Sequence, residues 1–291
     1  MVRDRSVSAK VFEAVVHIVM ICVVLLTLLP VIHVISISFS SAAAISRGDV
    51  GLWPVKFSVS AYTAIFKSGN VPRSFLNSVY YTALGTAINM LLTTMMAYPL
   101  SRTYLTFRKF YNVLVLITMF FSGGLIPTFL TVKNLGLYNT VWAIVLPGAI
   151  STWNLIIMRT FFMGLPAELE ESAQLDGAND FTIFARIILP LSKASIATIA
   201  LFYGVGHWNN WFSGMIYFKN SKSYPLQTIL RSIVINSEVS DEITVDEVIN
   251  SISAEGIKYS TLVVSMVPMM AVYPFIQKYF VKGVMIGSLK G

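Results

Sequence analysis

The chain has 291 residues, of which 55% are hydrophobic and only 12% charged, with a formal net charge of +7 and a mean hydropathy of +0.70. A soluble domain carries about 25% charged residues, so this composition excludes a water-facing globule and indicates an integral membrane protein. The basic residues are scattered and form no stripe, which excludes nucleic acid as a partner and leaves the cytoplasmic ends of membrane spans and anionic lipid as their place.

A bilayer core about 30 Å thick takes about 20 apolar residues per helix, and by that criterion about six stretches qualify. They are 11–39, 75–100, 110–132, 138–162, 195–218 and 259–280. Arg3, Arg5 and Lys10 precede the first, and Ser41–Ala44 resembles a cleavage site. The apolar run between them is far longer than a signal core of about 7–15 residues, so residues 11–39 read as a retained signal-anchor helix. Its lone Cys22 has no intrachain disulfide partner and reads as a small buried hydrophobe. His17, His33 and His207 lie far apart and share no ligand or nucleophile spacing, so no metal, hydrolase or cofactor site is expected in the chain.

Breakers interrupt several stretches: Pro30, Pro99, Gly123, Gly124, Pro127, Pro147, Pro268 and Pro274. Such residues are tolerated in membranes where neighbours re-satisfy the backbone. Gly123, Gly124 and Pro127 are close enough together to loosen the third helix toward its outer end and open room beside it. Lys and Arg set the orientation. Arg102, Arg108, Lys109, Arg159, Arg186, Lys193, Lys278, Lys282 and Lys290 fall on the side of the N-terminus, whereas the short opposite connection holds only Lys133. Both termini are therefore expected in the cytoplasm. The expected organisation is a cytoplasmic N-terminus (1–10), a first helix (11–39), an outer segment (40–74), a five-helix core (75–281) with a second outer segment (219–258), and a cytoplasmic tail (282–291).

The cytoplasmic connection 164–190 is unusual: acidic, rich in small residues and closed by a glycine. Pro166 suits a first helical turn, and Glu168, Glu170 and Glu171 follow where negative charge favours a helix N-terminus. Gly177 is a natural stop, because glycine accepts a positive φ. Asp180 is a cap for the next helix, Phe181, Phe184 and Ile188 recur on one face of it, and Pro190 ends it. Ala173, Gly177 and Ala178 let another backbone approach. The residues alone leave two readings open: an interfacial amphipathic loop, or a bent helical element that inserts into a groove of a partner protein.

The run Glu171, Ala173, Asp176, Gly177, Ala178, Ile188, Leu189 and Pro190, in "ESAQLDGANDFTIFARIILP", resembles the EAA loop of ABC importer permeases. Ser172 departs from the family's usual alanine and is still small. The whole chain resembles a type I importer permease of the carbohydrate-uptake group, similar to the smaller permease of the maltose transporter. "GDVGLWPVKFSVSAY" and the tail "VKGVMIGSLKG" resemble a subfamily that takes up complex oligosaccharides and includes the small alginate-oligosaccharide permease.

The resemblance implies an all-α polytopic fold and a role as a permease, not an enzyme, in the bacterial inner membrane. Glu168, Glu171, Ala173, Asp176, Gly177, Ala178 and Pro190 would form a coupling helix seated in a cleft of a cytoplasmic ATPase. The implied partners are a second homologous permease in a heterodimer, two ATPase subunits that bind ATP and Mg, an extracytoplasmic binding protein and the lipid bilayer. Its tail would either reach into the ATPase pair or fray. No G-x-x-x-x-G-K-[ST] phosphate loop occurs in the chain, so ATP hydrolysis has to come from elsewhere.

Polar residues within spans usually face protein or a water-filled cavity. Trp208, Asn209, Asn210 and Trp211 in the fifth stretch, and Trp153 and Asn154 in the fourth, pair aromatic faces with amides, as sugar binding requires. Interfacial anchoring by Trp and helix pairing by Asn compete with that reading. A secondary transporter would carry buried acids for ion coupling. Glu13 is the only acid near an inner span, so that alternative is disfavoured.

Overall fold

The computed structural model describes residues 7–239 and 253–288, and every regular element in it is helical. Arg3, Arg5, Lys290 and the larger part of the polar outer stretch 237–251 lie outside the described residues. The chain divides into two compact units, one drawn from Met1–Pro72 and Ser232–Met266, the other from Arg73–Arg231 and Val267–Gly291.

The first unit is built on α1 (Val7–Ser38), a long apolar helix. From Val11 to Leu29 its large apolar side chains are exposed, and Cys22 with them. That corrects the expectation of a buried thiol: a span whose sides are all apolar need not pack against its own chain. Packing begins at the far end, where Ile37 joins Ala44, Ile45 and Val50 in a small core. Ala44 and Ile45 belong to α2 (Ala42–Ser46), capped by Ser41. Serines stitch the stretch after α1 back to it: Ser36 donates to Leu52 O (2.7 Å), and Ser40 accepts from Val55 N (3.0 Å). The Tyr62 hydroxyl, on α3 (Ser60–Lys67), donates to Ser38 Oγ at 2.8 Å.

The second unit holds most of α4 (Asn70–Ser101), then α5 (Arg108–Phe120), α6 (Leu125–Asn134), α7 (Trp142–Val145) and α8 (Thr152–Met163). There follow α9 (Glu168–Leu175), α10 (Asp180–Ile183), a π-turn over Phe184–Ile188, α11 (Leu189–Leu191), α12 (Lys193–Trp208) and α13 (Phe212–Tyr217). Two further helices, α14 (Leu226–Val239) and α15 (Ala254–Ser288), contribute to both units.

Among the described residues three helices, α1, α4 and α15, are long and apolar enough to cross a membrane. The third expected span is α5 and α6, bent by 113° at residues 121–124. Gly124 takes φ +81° there, a conformation that suits glycine, and the clustered glycines had marked the place. The fifth, 195–218, is α12, a break at Asn209–Trp211 and α13, and α12 meets the preceding segment 180–191 at 82°. The fourth is divided between α7 and α8 by an unwound stretch at 146–151, where Pro147 supplies no N–H. The side chain of Asn89 on α4 donates to the freed carbonyls of Gly148 (2.7 Å) and Ala149 (3.0 Å). The last helix runs on to Ser288, past the point where a tail was expected to begin.

Close approach of α4 and α12 depends on one glycine. A Cβ on Gly85 would lie 2.5 Å from Nε2 of His207. Gly85→Ala is expected to push the imidazole off Asn89, its partner at 2.8 Å, and to cost about 1–3 kcal/mol of stability by overpacking. A thermal melt of the detergent-solubilised variant checks this, and an unchanged midpoint contradicts it.

Candidate functional site

Helix α9 and the segment after it form the bent element expected from the sequence. Asp176 terminates α9, Gly177 takes φ +82°, and two bonds close the end: Gly177 N–H to Gln174 O (3.0 Å) and Ala178 N–H to Ala173 O (2.9 Å). This is a Schellman closure, in which a left-handed residue lets the last carbonyls find partners. Ala173 and Ala178 pack side by side against the main core rather than facing outward. Their small size brings α9 close to its own chain.

The next helix is capped by Asn179, whose Oδ1 accepts from Thr182 N at 2.8 Å, and not by Asp180, which is its first residue. The two neighbours have equivalent capping chemistry, so the sequence does not separate them. The expected face of Phe181, Phe184 and Ile188 is also revised. Phe181 is 71% exposed, while Ile183, Phe184 and Ile188 are buried. A π-turn over Phe184–Ile188 widens the helix and shifts its phase, so that Ile183 is buried with Phe184 and Ile188 while Phe181 is not. Pro190 sits inside α11, and the chain turns sharply after Leu191.

The element rests on a core from the ends of α4, α8 and α12: Tyr98, Leu100, Met158, Phe162 and Ile199 among others. Arginines close those ends. Arg108 and Arg159 each donate through Nε to Leu100 O (3.2 Å), and Arg102 donates to Phe162 O (3.0 Å). Guanidinium groups at helix C-termini satisfy orphan carbonyls and match the dipole. Arg102 also pairs with Glu170 and lies 4.9 Å from the centre of the Tyr98 ring. Both side chains of that ion pair are about 10% exposed. Burial pushes the Glu170 carboxyl above the usual range; Arg102 opposes the rise and Asp180 adds to it.

Sequence reasoning gave Glu170 only a dipole role and did not single out Arg102 for one. The signal available was an arginine directly after an apolar helix, two positions past its last leucine. Glu168, Glu171, Asp176 and Asp180 stay exposed, and so do Leu175 (90%) and Phe181. The outward surface is therefore acidic with bare apolar tips.

A second feature of this unit is a cavity of about 480 Å³ beside the unwound stretch 146–151. It separates the six candidate pathway residues. Asn154 and Asn210 line it. Trp153 is 59% exposed, and Asn209 is also exposed. Trp208 is buried edge-on against Phe75 and lines a different, apolar cavity of about 630 Å³. Trp211 is covered by the Arg231 guanidinium, 3.8 Å from its ring centre. Ser151, Phe202 and His207 line the first cavity and were not anticipated. Among the described residues, no group of three or more His, Cys, Asp or Glu is placed to hold a metal.

Comparison with known proteins places the chain in a family. Residues 7–286 match the family profile of the binding-protein-dependent transport system inner membrane component. The chain is 43% identical to the polygalacturonan/rhamnogalacturonan transport system permease protein YtcP of Bacillus subtilis, over 97% of this chain and 99% of that one. It is 44% identical to protein LplC of the same organism, over 91% and 90%. A chain in the crystal structure of a bacterial ABC transporter involved in the import of the acidic polysaccharide alginate superposes with a TM-score of 0.88 at 32% identity, covering 95% of this chain and 99% of that one.

Proposed function

Since the chain belongs to the family of binding-protein-dependent transport system inner membrane components, we propose that it is the permease subunit of an ATP-driven importer that moves oligosaccharides into the cytoplasm by alternating access. In this reading it crosses the membrane six times with both termini inside. It pairs with a second, homologous permease and receives substrate from an extracytoplasmic binding protein. Two ATPase subunits carry ATP and Mg.

Loop 164–190 is the coupling element, and the observation that carries this reading is its two-sided construction. Inward, Ala173, Ala178, Ile183 and Ile188 pack on the helix ends, and Glu170 is tied to Arg102. Outward, Glu168, Glu171, Asp176, Leu175 and Phe181 stand free of their own chain. Exposed apolar tips ringed by charge suit a partner's groove. A rigid seat behind them passes a push on the tip to α4, α8 and α12. The oligosaccharide class is supported by the relatives' named cargoes, polygalacturonan and rhamnogalacturonan for one and alginate for another.

Gly177→Trp tests the coupling. A left-handed backbone costs a residue with a Cβ roughly 1–2 kcal/mol, and the indole projects from the docking tip. The protein is expected to insert normally while binding-protein-stimulated ATPase activity and uptake in proteoliposomes fall at least tenfold. Wild-type uptake with wild-type stimulated hydrolysis would remove loop 164–190 from the coupling path.

A further inference from the structure

Three helix breaks meet at the 480 Å³ cavity. Leu125 and Thr128 come from α6, just after the break at 121–124. Pro147, Gly148 and Ser151 come from the unwound stretch between α7 and α8. Asn210, Phe212 and Ser213 come from the gap between α12 and α13 and the start of α13. Non-helical backbone at membrane depth persists only where protein buries it or where it lines an aqueous space. Three interruptions around one hollow therefore mark a built chamber of mixed apolar and polar lining and not a packing defect.

Its walls have a definite chemistry. No Asp, Glu, Lys or Arg is among the lining residues. The polar groups are amides, hydroxyls and one imidazole, set among the rings of Phe202, Phe212 and Tyr217. Two of them are committed to structure: Tyr203 accepts from Ser151 N (2.9 Å), and His207 is held by Asn89. Asn154 is different. It is only 6% exposed, its backbone N–H bonds to Ser151 Oγ, and its side-chain amide has no partner among the described residues. Asn154 lines the cavity, where water or a ligand can satisfy that amide. Asn210 uses Oδ1 to accept from Ser213 N at 3.1 Å, which leaves its NH2 group for a ligand. An amide both donates and accepts, as a sugar hydroxyl does, and ring faces cover a sugar's C–H surfaces.

The geometry points to a saccharide subsite within this chain: one hydroxylated sugar ring held by the amides of Asn154 and Asn210 against the aromatic wall. The inference rests on the importer reading and adds that this subunit itself touches the cargo. The volume lies within the range of about 300–1,000 Å³ usual for small-molecule sites.

The test uses the complete transporter in proteoliposomes, with trigalacturonate, trimannuronate and maltotriose as cargo. Asn154→Leu keeps the side-chain shape and removes the amide. It is expected to raise the KM for uptake roughly tenfold or more, with a smaller change in kcat, as loss of a buried hydrogen bond to the cargo predicts. A second measurement does not depend on that variant folding. Thr128→Cys in a Cys22→Ser background places a thiol on the cavity wall, where the native hydroxyl bonds only to Gly124 O within its own helix turn. Its labelling by a water-soluble methanethiosulfonate is expected to slow several-fold when the transported saccharide is present. If wild type takes up none of the three sugars, the importer reading itself fails. If wild type takes one up, yet that sugar neither protects the introduced thiol nor needs the Asn154 amide, the subsite is overturned and the importer reading stands.

Discussion

Arg102→Ala is expected to destabilise the protein by about 3–5 kcal/mol and to abolish coupled uptake, because it leaves a carboxylate unpaired in a poorly solvated place. Glu170 is 8% exposed, and Arg102 is its partner. The same guanidinium also closes α8 at Phe162 O, so one substitution unseats α9 and opens the helix end beneath it. The effect carries a pH signature. A carboxyl whose pKa is raised on folding binds its proton more tightly in the native state. Its stabilising contribution is then fullest below the unfolded value, near ~4.3, and declines as pH climbs through the raised value. Burial already raises Glu170 against the pull of Arg102, and removing Arg102 raises it further. The gap in melting temperature between wild type and Arg102→Ala should therefore widen from about pH 5 upward. Adding Glu170→Gln to Arg102→Ala should narrow that gap at neutral pH and remove its pH dependence. A gap equal at acid and neutral pH would show that the unpaired carboxylate is not what harms the variant.

Asn89→Leu should have the second largest effect. Asn89 is fully buried and makes three bonds, to Gly148 O, Ala149 O and His207 Nε2. Leucine fills the same space and satisfies none of them. An orphaned buried group costs about 1–3 kcal/mol, but Gly148 is exposed and Ala149 only half-buried, so the total expected stays within about 1–3 kcal/mol. The consequence for transport is larger than for folding. The freed stretch 146–151 carries Ser151, the cap of α8, and α8 carries Asn154. Uptake should fall at least tenfold at an unchanged amount of protein in the membrane. Asn89→Asp keeps an acceptor for His207 but no amide donors for the two carbonyls, and should lose most of the same activity. Normal uptake in Asn89→Leu would mean that the strut does not position the cavity.

These two sites show where sequence reading succeeds and where it stops. Loop 164–190 was legible because its information is local. The glycine stop and the acids at a helix start are set by backbone geometry within a few residues, and Gly177 stands where expected at φ +82°. The break in the third span was legible for the same reason. What was missed is long-range. Nothing near Glu170 in sequence distinguishes it from Glu168 or Glu171, because what distinguishes it is Arg102, 68 positions earlier. The order Ile183–Ile188 defeated a 3.6-residue period because a π-turn shifted the phase.

By itself the sequence determined that this chain is a membrane protein of apolar helices with a bent, acidic connecting element, since composition, hydropathy and turn chemistry are properties of short windows. Only the tertiary structure decided which acid is buried, that the two alanines face inward, and that Asn154 and Asn210 share a cavity while Trp153, Trp208, Asn209 and Trp211 do not line it. The reason is physical. In an apolar chain many residues are free to face lipid or protein, and the choice is made by the few polar groups that have to find partners across helices, as Asn89, Arg102 and Tyr203 do.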